Sequence, residues 1–358
     1  MALTTLTINR NALAQNINVL RGFGARNSKL AAVVKADCYG LGLGALVQTF
    51  WDQGIRRYYV AFFEEAAALK KQFPQAEVIV FAGLVGFSVK DFKALGIIPV
   101  LNTFSQLETW LHSGAQRLVL HVDTGMRRLG LESNEQEKLE PSLFNGRHLT
   151  LMSHFACADN PQHPLNNQQL ARFNALAAKL KPQVRSMANS AALVTQNPAA
   201  SFEELRPGLA LYGASPLAPY DCHTNAMRIS CVAALESQII QIRNIQPGES
   251  IGYGAGYIAD KAMRVATVPV GYADGWLRAA QSAERFVRVE GKEVALIGRI
   301  SMDSLILDVT TLPDICVGQK VDLFSRFGDV EKLSKASNSI PNDWLTAFGS
   351  RYKRVYID

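Results

Sequence analysis

Residues 97–123 read IIPVLNTFSQLETWLHSGAQRLVLHVD. An apolar run at 97–102 leads into a helix-like stretch, Ser105–Ser113, and then into a second apolar run at 117–123. Thr103 and Ser105 are N-cap candidates, because a hydroxyl there can accept from a backbone N–H that the first helical turn leaves unpaired. A strand buried on both faces needs apolar residues on successive positions, and both runs have them. The segment therefore reads as one strand–helix–strand unit of a parallel sheet. The same texture recurs on either side. Strand-like runs at 30–35 (LAAVVK), 57–62 (RYYVAF), 77–83 (EVIVFAG), 149–155 (LTLMSHF), 184–190 (VRSMANS) and 205–213 (LRPGLALYG) alternate with helix-like segments such as Glu64–Gln72 and Asn166–Leu180. Eight evenly spaced strands alternating with helices predict an α/β fold of the (β/α)8 TIM-like barrel type. A doubly wound open sheet is the alternative, and the even spacing favours closure.

Past Met227 the helical periodicity fades. Short alternating runs follow: ALESQIIQIRNI (234–245), RVATVPVGY (264–272), RFVRVEGKEVALIGRI (285–300), SLILDV (304–309) and QKVDLFS (319–325). Turn signals separate them at Gln246-Pro247-Gly248, Glu290-Gly291-Lys292 and Pro313-Asp314, and the tail PNDWLTAFGSRYKRVYID reads as a short helix and a last strand. This pattern predicts a mainly antiparallel β domain. Two domains are expected, 1–227 and 228–358, joined by a short crossing without a low-complexity tether.

The composition suits that division. The chain has 358 residues, of which 48% are hydrophobic and 19% charged, enough for a sizeable core. Lys plus Arg number 37 against 31 Asp plus Glu, a net charge of +6. The basic residues are scattered, with no run of nucleic-acid type, so mild attraction for small anions is expected and nucleic-acid binding is not. The N-terminus lacks a basic-then-apolar signal pattern, and the longest apolar stretch, Val78–Phe87, is broken by Gly83 and Gly86 and is too short to span a bilayer. Five dispersed cysteines without a CxxC pair favour neither a disulfide framework nor a zinc site, and no metal is expected. A reducing cytoplasm fits best.

A barrel of this kind carries its active site at the C-terminal ends of its strands. Read in order, those ends hold Lys35, Asn102, Asp123 with Arg128 beyond it, His154, Asn189-Ser190 and Arg206. Lys35 closes the run Ala31-Ala32-Val33-Val34. A lysine there either snorkels to solvent or must be neutral, paired or covalently used, as in a Schiff base with a carbonyl cofactor. Tyr39 and Gly40 follow, where a phenol and open backbone could meet a phosphate. Loops after strands seven and eight of such barrels often bind phosphate, and the Ser190 hydroxyl with the Gly208 and Leu209 amides could form an anion cradle. Pro207-Gly208 also fits an ordinary turn. Arg206, within an apolar strand, needs an acceptor. In HVDTGMRRLG (121–130) one arginine could grip a carboxylate bidentately, although a solvated loop reads equally well. His154 alone would pass for a satisfied core histidine. Three glycine-flanked clusters mark exposed turns in the β domain: IGYGAGY (251–257), VGYADGW (270–276) and GRISMD (298–303).

Taken together, these motifs resemble one family. VVKADCYG around Lys35, DTGMRRLG from Asp123, SHF around His154, ANSA around Asn189-Ser190, RPG from Arg206, GYG around Tyr253, GYADGW from Gly271 and RISMD from Arg299 occur in the order seen in alanine racemases, which are fold-type III pyridoxal-phosphate enzymes, and they span nearly the whole chain. The resemblance implies interconversion of L- and D-alanine by two bases acting on a pyridoxal 5′-phosphate aldimine, with D-alanine supplied for peptidoglycan. It implies that Lys35 forms the internal aldimine and serves as one base, and that Tyr253, from the partner subunit of a homodimer with shared active sites, is the other. Arg206 is then the donor to the cofactor ring nitrogen; Tyr39, Ser190, Gly208 and Leu209 hold the phosphate, with Asn189 beside them. His154 orients Tyr253, Arg128 and Met302 position the substrate carboxylate, and Tyr272 lines the entry. The division of labour is chemically sensible. Inverting a stereocentre needs proton removal on one face and delivery on the other, and a phenol of ordinary pKa near 10 needs cationic neighbours to serve as a base. Three positions depart from the family's pattern. His121 stands where a lysine, often carbamylated, usually braces the arginine equivalent to Arg128; Leu41 follows Tyr39-Gly40 in place of histidine; and Asn342 replaces a phosphate-binding tyrosine. The same scaffold also admits a racemase for another amino acid, a decarboxylase, or a non-catalytic pyridoxal-phosphate carrier. The GYG base and the ring-nitrogen arginine speak against the decarboxylase, and the tyrosine-bearing β domain speaks against the carrier.

Overall fold

The computed structural model describes residues 3–195, 201–217, 229–279 and 286–358. Its first sheet is the expected barrel. The parallel strands Ala32–Val33, Arg57–Val60, Glu77–Val80, Ile97–Leu101, Arg117–His121, His148–Met152, Val184–Ser186 and Glu204–Leu205 pair in chain order. The first strand has a second half, Lys29–Leu30, which pairs in parallel with Glu204–Leu205 and so closes the ring. Ala31 N donates to Leu205 O at 2.8 Å and Val33 N to Pro207 O at 3.0 Å across the same seam. Ile97–Leu101 is buried at every residue, which is why its sequence does not alternate.

The helices lie where the sequence places them: Phe63–Gln72, Phe104–His112 and Pro164–Leu180. Thr103 takes the N-cap of the second, accepting from Gln106 N at 3.2 Å, and Ser105 lies inside that helix. The expected strand at 205–213 is cut short. Only Glu204–Leu205 is extended, and Leu209–Tyr212 forms a 3-10 turn. Pro207 has no N–H to continue a ladder, and Gly213 at φ 84° ends the turn.

The second sheet runs, in spatial order, 241–245, 263–268, 305–308, 292–297, 286–289, 320–324, 233–238, 5–9 and 353–357. It is antiparallel except where Thr5–Asn9 pairs in parallel with Lys353–Ile357. The Glu290-Gly291 hairpin has both residues at positive φ, 52° and 76°, as a tight two-residue connection requires. The N-terminal strand departs from the expected division, because Thr5–Asn9 also pairs antiparallel with Ala233–Gln238 and is therefore part of the β sheet, not the barrel. The expected junction at 227/228 lies outside the described residues. One apolar core runs through both units, and a small satellite of Ile251, Ala259, Met263, Val265 and Ile297 supports the 251–257 turn. Among the described residues no helix is long and apolar enough to cross a membrane, and no cluster of metal-ligating side chains occurs.

Candidate active site

The C-terminal rim of the barrel opens into a cleft of about 590 Å³. Lys35, Tyr39, Arg128, His154, Asn189, Ser190, Arg206, Gly208 and Leu209 all line it, so nine of the residues singled out at or beyond strand ends share one cavity.

Lys35 sits at the point where the first strand leaves the sheet. Val34 N makes the last ladder bond, to Tyr59 O at 2.9 Å. The chain then turns left-handed: Ala36, Asp37, Cys38 and Tyr39 have φ between 51° and 57°. Four consecutive non-glycine residues in that region cost roughly 1–2 kcal/mol each. Polar contacts hold the turn. Glu65 accepts from Ala36 N at 2.6 Å, Asp37 accepts from Leu43 N at 2.6 Å, and Gly40 N donates to Ala36 O at 2.8 Å. The C-terminal strand reaches across as well, with Arg354 donating to Gly40 O at 3.2 Å and Tyr356 to Leu41 O at 3.1 Å. Burial lowers the Lys35 amine below its ordinary pKa, Arg128 lowers it further, and Glu65 opposes both.

The opposite wall is an anion cradle. Ser190 opens the helix Ser190–Val194, which Asn189 caps by accepting from Ala192 N at 2.9 Å. Its Oγ accepts from Gly208 N at 2.9 Å and Ala210 N at 3.2 Å, so its own hydrogen is directed elsewhere. A Cβ on Gly208 would lie 2.2 Å from the Tyr39 hydroxyl oxygen, so glycine is what lets this backbone approach the phenol. Burial pushes the Tyr39 phenol well up, which keeps it protonated and able to donate. With Gly208 N engaged by Ser190, the Ser190 and Tyr39 hydroxyls are the donors this wall offers to an anion.

Arg206 is 3% exposed. It donates to Ser186 Oγ and to Ser153 O, leaving further N–H groups for a ligand. Its nearest carboxylate, Glu204, is already engaged: it accepts from Tyr59 Oη at 2.6 Å and pairs with Arg57 at 2.8 Å. His121 is buried beside it. Asn102 donates its amide to Phe81 O at 2.8 Å, so its Oδ1 must accept the 2.9 Å bond from His121 Nδ1. That fixes the neutral tautomer with Nε2 bare. Burial, with Arg206 next in weight, pushes the His121 pKa down to about 3. His154 is held well below its ordinary value by burial and then by Arg206.

Tyr253, Tyr272 and Met302 do not line this cleft. They sit on the β domain and are exposed, Tyr253 at 68%. Their three glycine-flanked turns interlock. Gly271 lies where a Cβ would be 2.2 Å from Met302 O, Tyr272 N donates to Ser301 O at 3.1 Å, and Arg299 packs over Gly254 and Gly256. Asp274 pins the middle turn, accepting from Gly271 N at 2.8 Å and pairing with Arg351 at 2.6 Å. Sequence reasoning missed Glu65, which looks like any acidic residue in a first helical turn, and the apolar rim of Phe62, Met126, Leu129 and Ile340.

Comparison with known proteins gives a consistent picture. Residues 8–216 match the family model "Alanine racemase, N-terminal domain", and residues 232–356 match "Alanine racemase, C-terminal domain". An alanine racemase of Brucella abortus is 37% identical over 372 residues, covering 98% of this chain and 93% of the relative. The crystal structure of an alanine racemase from Bartonella henselae with covalently bound pyridoxal phosphate superposes with a TM-score of 0.91 at 34% identity, covering 100% of both chains. A biosynthetic alanine racemase from Pseudomonas aeruginosa gives the same TM-score, 0.91, with 34% identity and 100% coverage of both chains.

Proposed function

The chain belongs to the alanine racemase family, and on that premise we propose that it interconverts L- and D-alanine with pyridoxal 5′-phosphate held in the barrel cleft. One observation supports this most: a lysine at a barrel strand end shares a cavity with a built anion cradle and a buried arginine. Pyridoxal phosphate, when bound, supplies an electron sink that acidifies the α-hydrogen of an amino acid joined to it.

The chain's own residues do the rest. Tyr39, Ser190 and the Leu209 amide would hold the phosphate, Gly208 by admitting Tyr39 and bonding Ser190, with Asn189 fixing the helix that presents Ser190. Arg206 would donate to the ring nitrogen. Since a guanidinium does not readily surrender a proton, it would leave that nitrogen unprotonated and moderate the sink. Arg128, with Met302, seats the substrate carboxylate. Lys35 Nζ moves the proton on one face, and its lowered basicity suits a group that must both take and give one at neutral pH. The other face needs a second group. Tyr253 is that group in this reading, delivered with Tyr272 and Met302 by a second copy of the chain and oriented by His154. Its exposure, and its place outside the cleft that holds Lys35, support a homodimer with shared sites. We place the enzyme in the cytoplasm, supplying D-alanine for the cell wall.

The test is α-hydrogen exchange in deuterated water, run separately from L- and D-alanine. Exchange with loss of optical activity from both supports the reading. A yellow, lysine-linked protein that exchanges neither would mean another amino acid is the substrate. A Tyr253→Phe protein should keep the cofactor yet lose exchange in one direction, and dilution that separates the subunits should abolish activity.

A further inference from the structure

Two adjacent barrel strands end at the cleft, and each leaves backbone donors beyond its last ladder bond. One carboxylate satisfies both. Glu65 Oε1 accepts from Ala36 N at 2.6 Å, and Oε2 accepts from Ala61 N at 2.7 Å and from Phe62 N at 3.3 Å. Glu65 belongs to the first turn of the helix Phe63–Gln72, so its own backbone is fixed. Lys35 lies between the last sheet bond, Val34 N to Tyr59 O, and this clamp. Its peptide is held on both sides, immediately before four left-handed residues that would otherwise relax.

We propose that Glu65 is a positioning residue for Lys35, clamping the peptide after the lysine to the neighbouring strand end and setting one negative charge beside its amine. This rests on the reading that Lys35 carries the cofactor and moves the proton. The other charged and titratable groups lining the cleft are Arg128 and Arg206, both cationic, the carboxylate Asp159, the neutral His121 and His154, and the protonated Tyr39. Glu65 is the anion that favours a proton on Nζ, against Arg128, which opposes one. Glutamine at this position offers one acceptor oxygen to donors that now share two, and carries no charge.

The experiment has a structural arm and a chemical arm. In unaltered holoenzyme, residue-resolved hydrogen exchange should show the Ala36 and Ala61 amides protected as well as barrel-strand amides; exchange at loop rates would overturn the clamp. Glu65→Gln should lower kcat about tenfold with little change in KM. It should also move the acid limb of kcat, and the pH titration of the lysine–cofactor absorbance band, to lower pH. Glu65→Asp keeps the charge on a shorter arm, so it should lower kcat while leaving the absorbance titration near wild type. A Glu65→Gln enzyme whose limb and absorbance titration stay in place refutes the electrostatic role, even if activity falls. Failure of the underlying reading looks different: wild-type protein would then show no lysine-linked band and no alanine racemisation. If Glu65→Gln does not fold, the exchange arm and Glu65→Asp decide.

Discussion

Gly208→Ala adds one methyl group to the anion cradle, and the structure says where it must go. Gly208 has φ −126° and ψ −90°, and the cost that can be worked from the structure is that of contact. The new carbon would sit 2.2 Å from Tyr39 Oη, 3.0 Å from Cζ and 3.5 Å from Cε2. Relief needs a shift of about 1 Å, since comfortable contact begins near 3.5 Å. Tyr39 cannot retreat away from the cleft. Its ring centroid is 4.7 Å from that of Tyr212, which is itself buried and tied by its hydroxyl to Val33 O at 2.9 Å. Either the phenol or the 208–209 backbone then leaves the position proposed for holding the phosphate. Overpacking costs about 1–3 kcal/mol, and one hydrogen bond to a charged group is worth about 1.5–3 kcal/mol. The second quantity falls on the cofactor, so its affinity should drop about 10–100-fold. Absorbance titration of cofactor-free protein with pyridoxal phosphate measures it.

A double-mutant cycle shows whether the mechanism is the one described. Tyr39→Phe removes the atom that the methyl would strike, and the next nearest, at 3.0 Å, needs only a small adjustment. Gly208→Ala should therefore cost less in the Tyr39→Phe background than in wild type, with a coupling of at least about 1 kcal/mol. Wild-type affinity in Gly208→Ala, or strict additivity in the cycle, would show that this glycine is not there to admit Tyr39.

Acid should destabilise the fold through His121. Its folded pKa is depressed to about 3, whereas the unfolded value is near 6.5, so its contribution is whole above pH 6.5 and is lost as pH falls toward 3. Between pH 7 and pH 5, wild type should lose about 2 kcal/mol more than His121→Gln in denaturant titrations, and parallel losses would count against a neutral buried imidazole. Asp274→Asn should cost about 1–3 kcal/mol, seen as a lower Tm, because the amide keeps one acceptor for Gly271 N but turns an N–H donor toward Arg351. The KM for alanine should rise with it as the Tyr272 turn loosens. Arg206→Glu should raise the ratio of transamination to racemisation, since a carboxyl group can share a proton with the ring nitrogen; an unchanged ratio by product analysis would sink that account.

The barrel was legible because both its signals are local. Strands buried on two faces write themselves as apolar runs, and most polar residues at or just beyond the ends of those runs line the cleft, while Asn102 and Asp123 bond to His121 and to loop amides instead. Lys35, Arg128, His154, Ser190 and Arg206 were all found in this way. What failed to show was non-local or purely conformational. The strand Thr5–Asn9 is not among the strands expected from the sequence, and nothing in TLTIN announces partners at Ala233–Gln238 and Lys353–Ile357. The left-handed run Ala36–Tyr39 contains no glycine, so its sequence suggests a right-handed turn, and only contacts from Glu65, Arg354 and Tyr356 hold it otherwise. The strand expected through 205–213 misled because Leu209–Tyr212 is fully buried as a 3-10 turn, and burial writes the same apolar run whatever the backbone does.

Charge explains why the cleft selects what it does. Lys35, Arg128 and Arg206 bring three cationic groups to one cavity against one lining carboxylate, Asp159, while burial keeps His121 and His154 neutral. Glu204 is spent on Arg57 and Tyr59, and Glu65 on backbone amides, so neither carboxylate closes directly on an arginine of the cleft. A cofactor phosphate carries about −1.5 to −2 charge and an amino-acid carboxylate one more, enough to offset the positive excess that remains. The protein therefore stores an electrostatic deficit that its ligands make good. That cost also limits how many more cations the cavity can hold: a lysine in place of His121 would add a fourth, and would need an anion of its own to be tolerated.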